Sequence, residues 1–133
     1  MPISVAIVGS GPSGFYTAEA LAKAEADCLI DIIERLPAPH GLIRYGVAPD
    51  HQTTKKVSRN FDKTAGHESV RYFGNIEVGR DISVEELRSI YDAVVFAIGA
   101  PFDRKLGIPG EDKDGVIGSA AFVGWYNGHP DFV

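Results

Sequence analysis

Cysteine is almost missing from this chain: Cys28 is the single one in 133 residues. That excludes an intrachain disulfide framework and a thiolate-rich zinc cluster. The four histidines stand apart without ligand spacing, so no metal site is expected. Positive charge is not in excess either. Eighteen acidic against thirteen basic side chains leave a net charge of −5, which argues against a nucleic acid partner, because neutralising phosphates needs a basic face. Long apolar runs are absent too. The longest, VAIV and AVVFAI, fall far short of the roughly 20 residues that span a bilayer, so no membrane partner is expected. A first strand near Ile3 leaves no room for a signal or transit peptide, which makes the cytoplasm the expected address. No internal repeat or clear linker breaks the chain, and its fifteen glycines are dispersed rather than gathered in a low-complexity tract.

What is present reads as one globular α/β domain. Hydrophobic residues make up 44% and charged residues 23%, and the length suffices to bury a core. Residues 3–8 (ISVAIV) are short, β-branched and ended by glycine, which predicts a buried strand. Residues 14–25 predict a helix with Phe15, Ala18, Leu21 and Ala22 on one face. Residues 28–34 (CLIDIIE) complete a β-α-β unit, which is nearly always parallel and right-handed. A long loop is expected over 36–52, rich in proline and glycine, and loops of that length are usually functional. A helix follows over 53–65 with Val57 and Phe61 inward, then short strands at 70–73 and 76–79. Ser83 and Glu86 form a capping box for a helix that turns Leu87 and Ile90 inward. YDAVVFAIGA, residues 91–100, predicts a third strongly buried strand. A loop over 101–118 leads to a last short helix at 119–127, where Trp125 and Tyr126 are expected to pack.

The chemistry centres on Gly9, Gly11 and Gly14, a G-x-G-x-x-G placed directly between strand and helix. The first glycine permits the tight turn and the second lets the backbone approach a pyrophosphate. The third allows close helix–strand packing, while the helix N-terminus offers N–H donors and partial positive charge. Pro12 has no N–H, so Ser13 and Gly14 are the donors nearest the phosphates. Glu34 ends the second strand 20 residues after Gly14. A carboxylate there accepts both ribose hydroxyls and repels a 2′-phosphate, which favours FAD or NAD over NADP at this site. The loop alone leaves FAD and NAD both open. No second glycine fingerprint follows, since GIPGEDKDG at 107–115 does not lead from a strand into a helix.

Four segments then match one family in order: VGSGPSGFYTAEAL, IERLPAPHGLIRYGVAPDH, FGNIEVGRDISVEELRSIYDAVVFAIGA and IPGEDKDGVIGSAAFVGWYNGHPD. The chain resembles the N-terminal part of adrenodoxin reductase-like ferredoxin–NADP(+) reductases. The resemblance implies a Rossmann-like, three-layer FAD-binding domain with a parallel central sheet. It also implies about 1–105 as the nucleotide-binding core, with about 106–133 leading towards an NADP-binding domain that this chain lacks. FAD is the implied cofactor and NADP(H) the co-substrate of the intact enzyme. NADPH there gives a hydride to the flavin, and an iron–sulfur ferredoxin takes single electrons.

Cofactor contacts implied by the resemblance fall on Gly9, Gly11, Pro12, Ser13, Gly14, Glu34, Arg35, Gly41, Leu42, Val78 and Gly99, with His51 assigned to proton handling near the flavin. His40 stands where relatives usually carry Phe or Trp, and Gln52 where a proline usually follows the histidine. Asp50 reads as a turn or helix-start residue. Lys55, Arg59 and Lys63 recur every four residues as a solvated helix face, with docking of an acidic ferredoxin the lesser alternative. A chain complete as given would instead be a nucleotide-binding or interaction module without turnover, and an NAD-binding unit of another dehydrogenase is the third possibility. If the chain is the front part of the enzyme, an uncovered apolar face and self-association are expected.

Overall fold

A computed structural model describes residues 1–24 and 27–132. Its elements run β1 Ile3–Val8, α1 Pro12–Lys23, β2 Cys28–Ile33, α2 Leu42–Tyr45, α3 Gln52–Lys55, α4 Ser58–Ala65, β3 Val70–Phe73, α5 Val84–Ile90, β4 Ala93–Phe96 and α6 Ser119–Tyr126, then a 3-10 turn at Pro130–Phe132. The four strands form one parallel sheet in the order β3-β2-β1-β4. β1 and β2 pair in register from Ile3 opposite Cys28 to Val8 opposite Ile33.

A central parallel strand is buried on both faces, so it needs apolar residues at every position rather than at alternate ones. The VAIV of β1, Val5 to Val8, meets that need and is buried throughout. Val5 and Ile7 join Phe15, Ala18, Ile30, Ile32 and Phe61 in a core under α1 and α4. Ala6 and Val8 point the other way and meet Ile33 and Leu87 of α5. The Phe15 and Phe61 rings stack at 5.0 Å and lock α1 to α4. Helices therefore cover both faces of the sheet, giving the expected three-layer α/β Rossmann-like arrangement.

Several expectations are corrected. α1 begins at Pro12 and ends at Lys23, while the expected end at Glu25 lies outside the described residues. The helix expected over 53–65 is two helices, α3 and α4. Between them Val57 and Asn60 donate to carbonyls three residues back, a tightening of the coil that carries β-branched Val57 to the core. The loop 36–52 contains the one-turn helix α2. Residues 76–79 form no strand; only a bridge between Val78 and Ile82 is present. β4 is shorter than expected and only partly buried, because it lies at the sheet edge with β1 as its one partner among the described residues. Ile90 is exposed, since Leu87 alone of that helix is buried on the sheet. Trp125 and Tyr126 are also exposed: α6 buries Gly124 against the Phe132 ring and turns Phe122, Trp125 and Tyr126 outward as a small aromatic group. The capping box at Ser83 and Glu86 is present with both reciprocal hydrogen bonds.

Candidate functional site

The glycine loop joins β1 to α1 at the C-terminal edge of the sheet, where open α/β sheets carry their ligands. Gly9 has φ +109, and a Cβ there would lie 2.3 Å from the carbonyl oxygen of Ala97. Glycine is thus required twice: for the backbone sign, and for the close passage of the chain leaving β4. Gly14 has ordinary backbone angles, but a Cβ there would lie 2.1 Å from the carbonyl oxygen of Gly9. Close packing of helix on loop demands it. Gly11 differs from both, because a Cβ at Gly11 would meet nothing within 4 Å. Its neighbourhood is open space at the N-terminus of a twelve-residue helix, with Pro12 in the first turn and no side chain capping the helix. First-turn N–H groups such as those of Ser13 and Gly14 are what an anion would take there.

Glu34 follows β2 beside this opening. Its Oε2 accepts from the Ser10 N–H at 2.9 Å and the Ser10 hydroxyl at 2.6 Å, and its Oε1 accepts from the Leu36 N–H at 2.9 Å. The loop and the strand end are therefore tied together through one carboxylate, and the lone pairs left over can still accept hydroxyls. Tyr72 of β3 sits close by. Its hydroxyl is buried with the Ser10 side chain beside it but makes no hydrogen bond of good geometry among the described residues, and burial together with the Glu34 carboxylate pushes the phenol up to about 12. Such a buried orphan group beside a candidate site is the kind of donor a ligand satisfies.

The 36–52 segment closes over the glycine loop. The His40 N–H donates to the Ser10 carbonyl at 3.0 Å, and a Cβ on Gly41, whose φ is +49, would come within 3.0 Å of Gly11 Cα. His40 itself has φ +88 and is buried between the Phe15 and Phe61 rings at 5.5 and 5.8 Å. Its Nε2 lies 3.1 Å from Asp62 Oδ1, out of line for a hydrogen bond, and burial holds its pKa below the usual histidine value.

Gly9, Gly11, Pro12, Ser13, Gly14, Glu34 and Gly41 are thus gathered at one edge of the sheet. Gly99, with φ +66, lies two residues beyond the Ala97 that touches Gly9. Leu42 is exposed at the mouth of an apolar cleft of 430 Å³ lined also by Tyr45, Ala100, Val123, His129 and Phe132. Val78 packs its side chain against the cluster of Ala6, Val8, Ile33 and Leu87. The Arg35 guanidinium is turned to Asp131, with Nη1–Oδ1 at 3.1 Å and Nη2–Oδ2 at 2.6 Å. His51 is exposed at the start of α3; its N–H donates to Ala48 and its carbonyl accepts from Lys55. Among the described residues no hydrogen bond joins it to the glycine loop. Lys55 is not on a solvated face, since its Nζ donates to the Ile43 and Arg44 carbonyls at the end of α2. No group of three or more His, Cys, Asp or Glu gathers to hold a metal among the described residues.

Sequence reasoning missed Ser10, Tyr72 and Asp131 as members of this neighbourhood. Ser10 was findable as the residue inside the fingerprint whose hydroxyl can reach the strand-end carboxylate. Tyr72 and Asp131 carry no local signal.

Comparison with known proteins places the chain among oxidoreductase relatives by family and fold. A family model described as pyridine nucleotide-disulphide oxidoreductase matches residues 3–123. The mitochondrial NADPH:adrenodoxin oxidoreductase of Arabidopsis thaliana is 52% identical over 131 residues, covering 98% of this chain and 27% of that protein. NADPH-ferredoxin reductase FprA of Mycobacterium leprae is 52% identical over 133 residues, covering 96% of this chain and 29% of its own length. The structure of Mycobacterium tuberculosis FprA in complex with NADPH superposes with a TM-score of 0.96 at 50% identity, over 99% of this chain and 30% of that one. The chain therefore spans less than a third of the relatives it matches.

Proposed function

The chain belongs to the pyridine nucleotide-disulphide oxidoreductase family, and from that membership we propose that it is the FAD-binding part of a ferredoxin- or adrenodoxin-type NADPH reductase. One observation carries the proposal: the open space at Gly11, between the uncapped N-terminus of α1 and the Glu34 carboxylate. A cradle that a Cβ would fill, with N–H donors on one side and a carboxylate on the other, fits the pyrophosphate and ribose of a dinucleotide. The donor chemistry matches the group.

In this proposal Gly11, Ser13 and Gly14 hold the pyrophosphate through backbone N–H groups. Glu34 orients the ribose, and Tyr72 offers its orphan hydroxyl. Gly41 lets the following loop lie close on Gly11, and Leu42 with the cleft beneath it offers apolar surface to the ring half of the cofactor. When bound, the flavin would supply the redox chemistry that couples a two-electron hydride donor, NADPH, to a one-electron acceptor, an iron–sulfur ferredoxin. The protein's part is to bind, orient and keep water from that ring. Residues 1–105 form the nucleotide-binding core and 106–133 lead towards an NADP-binding domain. The chain alone carries no second glycine fingerprint and is expected to turn nothing over. His51 keeps its proton-handling role only if it is brought to the flavin in the whole enzyme. The proposed address is cytoplasmic, although the Arabidopsis relative is named mitochondrial; no helix among the described residues is long and apolar enough to cross a membrane. Exposed Phe96, Ile98, Phe102 and Leu106 on and beyond the open edge strand favour self-association.

The test is the visible spectrum of the purified chain after FAD is added and the excess removed by desalting. A retained, shifted flavin band that ADP displaces is the expected result. A colourless protein that binds neither FAD nor ADP would overturn the assignment. A light-scattering mass that stays monomeric as concentration rises would overturn the self-association.

A further inference from the structure

Arg35 directly follows Glu34, the carboxylate assigned to the ribose. In nucleotide sites of this fold, an arginine near that carboxylate is the group that accommodates a 2′-phosphate. A free guanidinium at Arg35 would therefore work against the preference that Glu34 sets. The structure shows that it is not free. Both Nη atoms of Arg35 are engaged by both carboxylate oxygens of Asp131, at 3.1 and 2.6 Å, across 96 positions of sequence. The fork-to-fork geometry is the strongest form of such a pair.

Asp131 is not placed there by chance of a loose end. It lies in the 3-10 turn Pro130–Phe132, and its N–H donates to His129 Nδ1 at 3.1 Å. His129 is buried, with its ring 4.9 Å from Tyr45 and 5.2 Å from Phe132, and its N–H donates to the Gly124 carbonyl. The carboxylate is thus held out from a packed turn that is itself seated on the loop after Gly41. Glu77 and Glu34 add to the negative field at Arg35, which raises its pKa, as the Asp131 pair does most strongly.

We propose that Asp131 is a specificity-determining residue of the nucleotide site: by holding Arg35 in a bidentate pair, it withholds the guanidinium that directly follows the ribose carboxylate in sequence, so that the site takes adenine nucleotides with a free 2′-hydroxyl and refuses 2′-phosphorylated ones. The inference rests on the nucleotide site proposed above. It also changes the part expected of Arg35, from a cofactor contact to a group kept away from the cofactor.

The test is competition against FAD, read by flavin fluorescence, with ADP and adenosine 2′,5′-bisphosphate as the two probes, on the native protein and two variants. The native protein should prefer ADP by about tenfold or more. Asp131→Asn should raise the affinity for the 2′-phosphorylated probe about tenfold and leave ADP within about twofold. Arg35→Ala should keep the native preference, because the guanidinium is already withheld. An unchanged ratio in Asp131→Asn, with ADP still bound, overturns the proposal alone. So does a tenfold loss of ADP affinity in Arg35→Ala, an outcome that needs no folded Asp131 variant. Failure of the native protein to bind either FAD or ADP overturns the nucleotide site and this proposal with it.

Discussion

Gly11 and Gly14 stand three positions apart in the same loop, yet an added methyl group would meet very different surroundings. At Gly11 the backbone has φ −76 and ψ −174, which alanine adopts freely, and the new Cβ would touch nothing within 4 Å. Restricting the unfolded chain favours alanine by about 0.4–1 kcal/mol, while alanine is a poorer N-cap than glycine by roughly 0.5–1 kcal/mol. The two offset, so Gly11→Ala should melt within about 3 °C of the native protein. Its methyl group fills the space assigned to the pyrophosphate, however. Loss of one or two charge-assisted hydrogen bonds at about 1.5–3 kcal/mol each predicts FAD binding weaker by roughly 100-fold. At Gly14 the methyl group would sit 2.1 Å from the Gly9 carbonyl oxygen, where ordinary contact begins at 3.4 Å. Helix and loop must part by more than an ångström, since the Gly9 carbonyl is backbone that cannot swing aside. A cost of about 3 kcal/mol follows, or a melting point lower by roughly 10 °C. Thermal unfolding followed by circular dichroism, with FAD titration by flavin fluorescence, separates the two effects. Equal destabilisation of both variants would refute the open cradle. Undiminished FAD affinity in Gly11→Ala would refute its role in holding phosphate.

Three further outcomes follow from the contacts. Glu34→Ala removes the acceptor for Ser10 and Leu36 as well as for the ribose, so it should lower stability by about 1–3 kcal/mol and weaken FAD binding together; an unchanged flavin titration would remove Glu34 from the site. His40 is held neutral by burial, its pKa below that of the unfolded chain, so its stability contribution is complete above about pH 6.5 and is lost as pH falls through the lower folded value. Urea midpoints at pH 7.5 and pH 5.5, taken here as about one unit either side of that ordinary value, should therefore differ less in His40→Phe than in the native protein, and identical differences would refute the buried-histidine account. Tyr91 donates to the buried Asp31 carboxylate at 2.7 Å, beside Arg71, whose Nε and Nη2 donate to the two Asp31 oxygens at 2.7 Å each, so Tyr91→Phe should cost about 1.5 kcal/mol in equilibrium unfolding; a variant as stable as the native protein would show that Arg71 alone satisfies Asp31.

Local sequence was enough to determine the nucleotide-binding half of this molecule. The short apolar run of ISVAIV, the fingerprint at Gly9, Gly11 and Gly14, and a carboxylate ending the next strand all act within one β-α-β unit. Each part is specified by neighbours a few residues away, as is the capping box at Ser83 and Glu86. Contacts between distant segments could not be read that way. An apolar run such as AVVFAI reads the same in the middle of a sheet or at its edge, and only the strand order showed that β4 lies at the edge. An aromatic pair such as Trp125 and Tyr126 reads as core until the helix that carries it chooses another face. Lys55 reads as solvent-facing until the end of α2 offers it two carbonyls. Above all, the partner of Arg35 lies 96 positions away. Pairing at that separation is decided by the packing of the His129 turn onto the loop after Gly41, because no local propensity, spacing or charge pattern couples two side chains that meet only once the chain has folded.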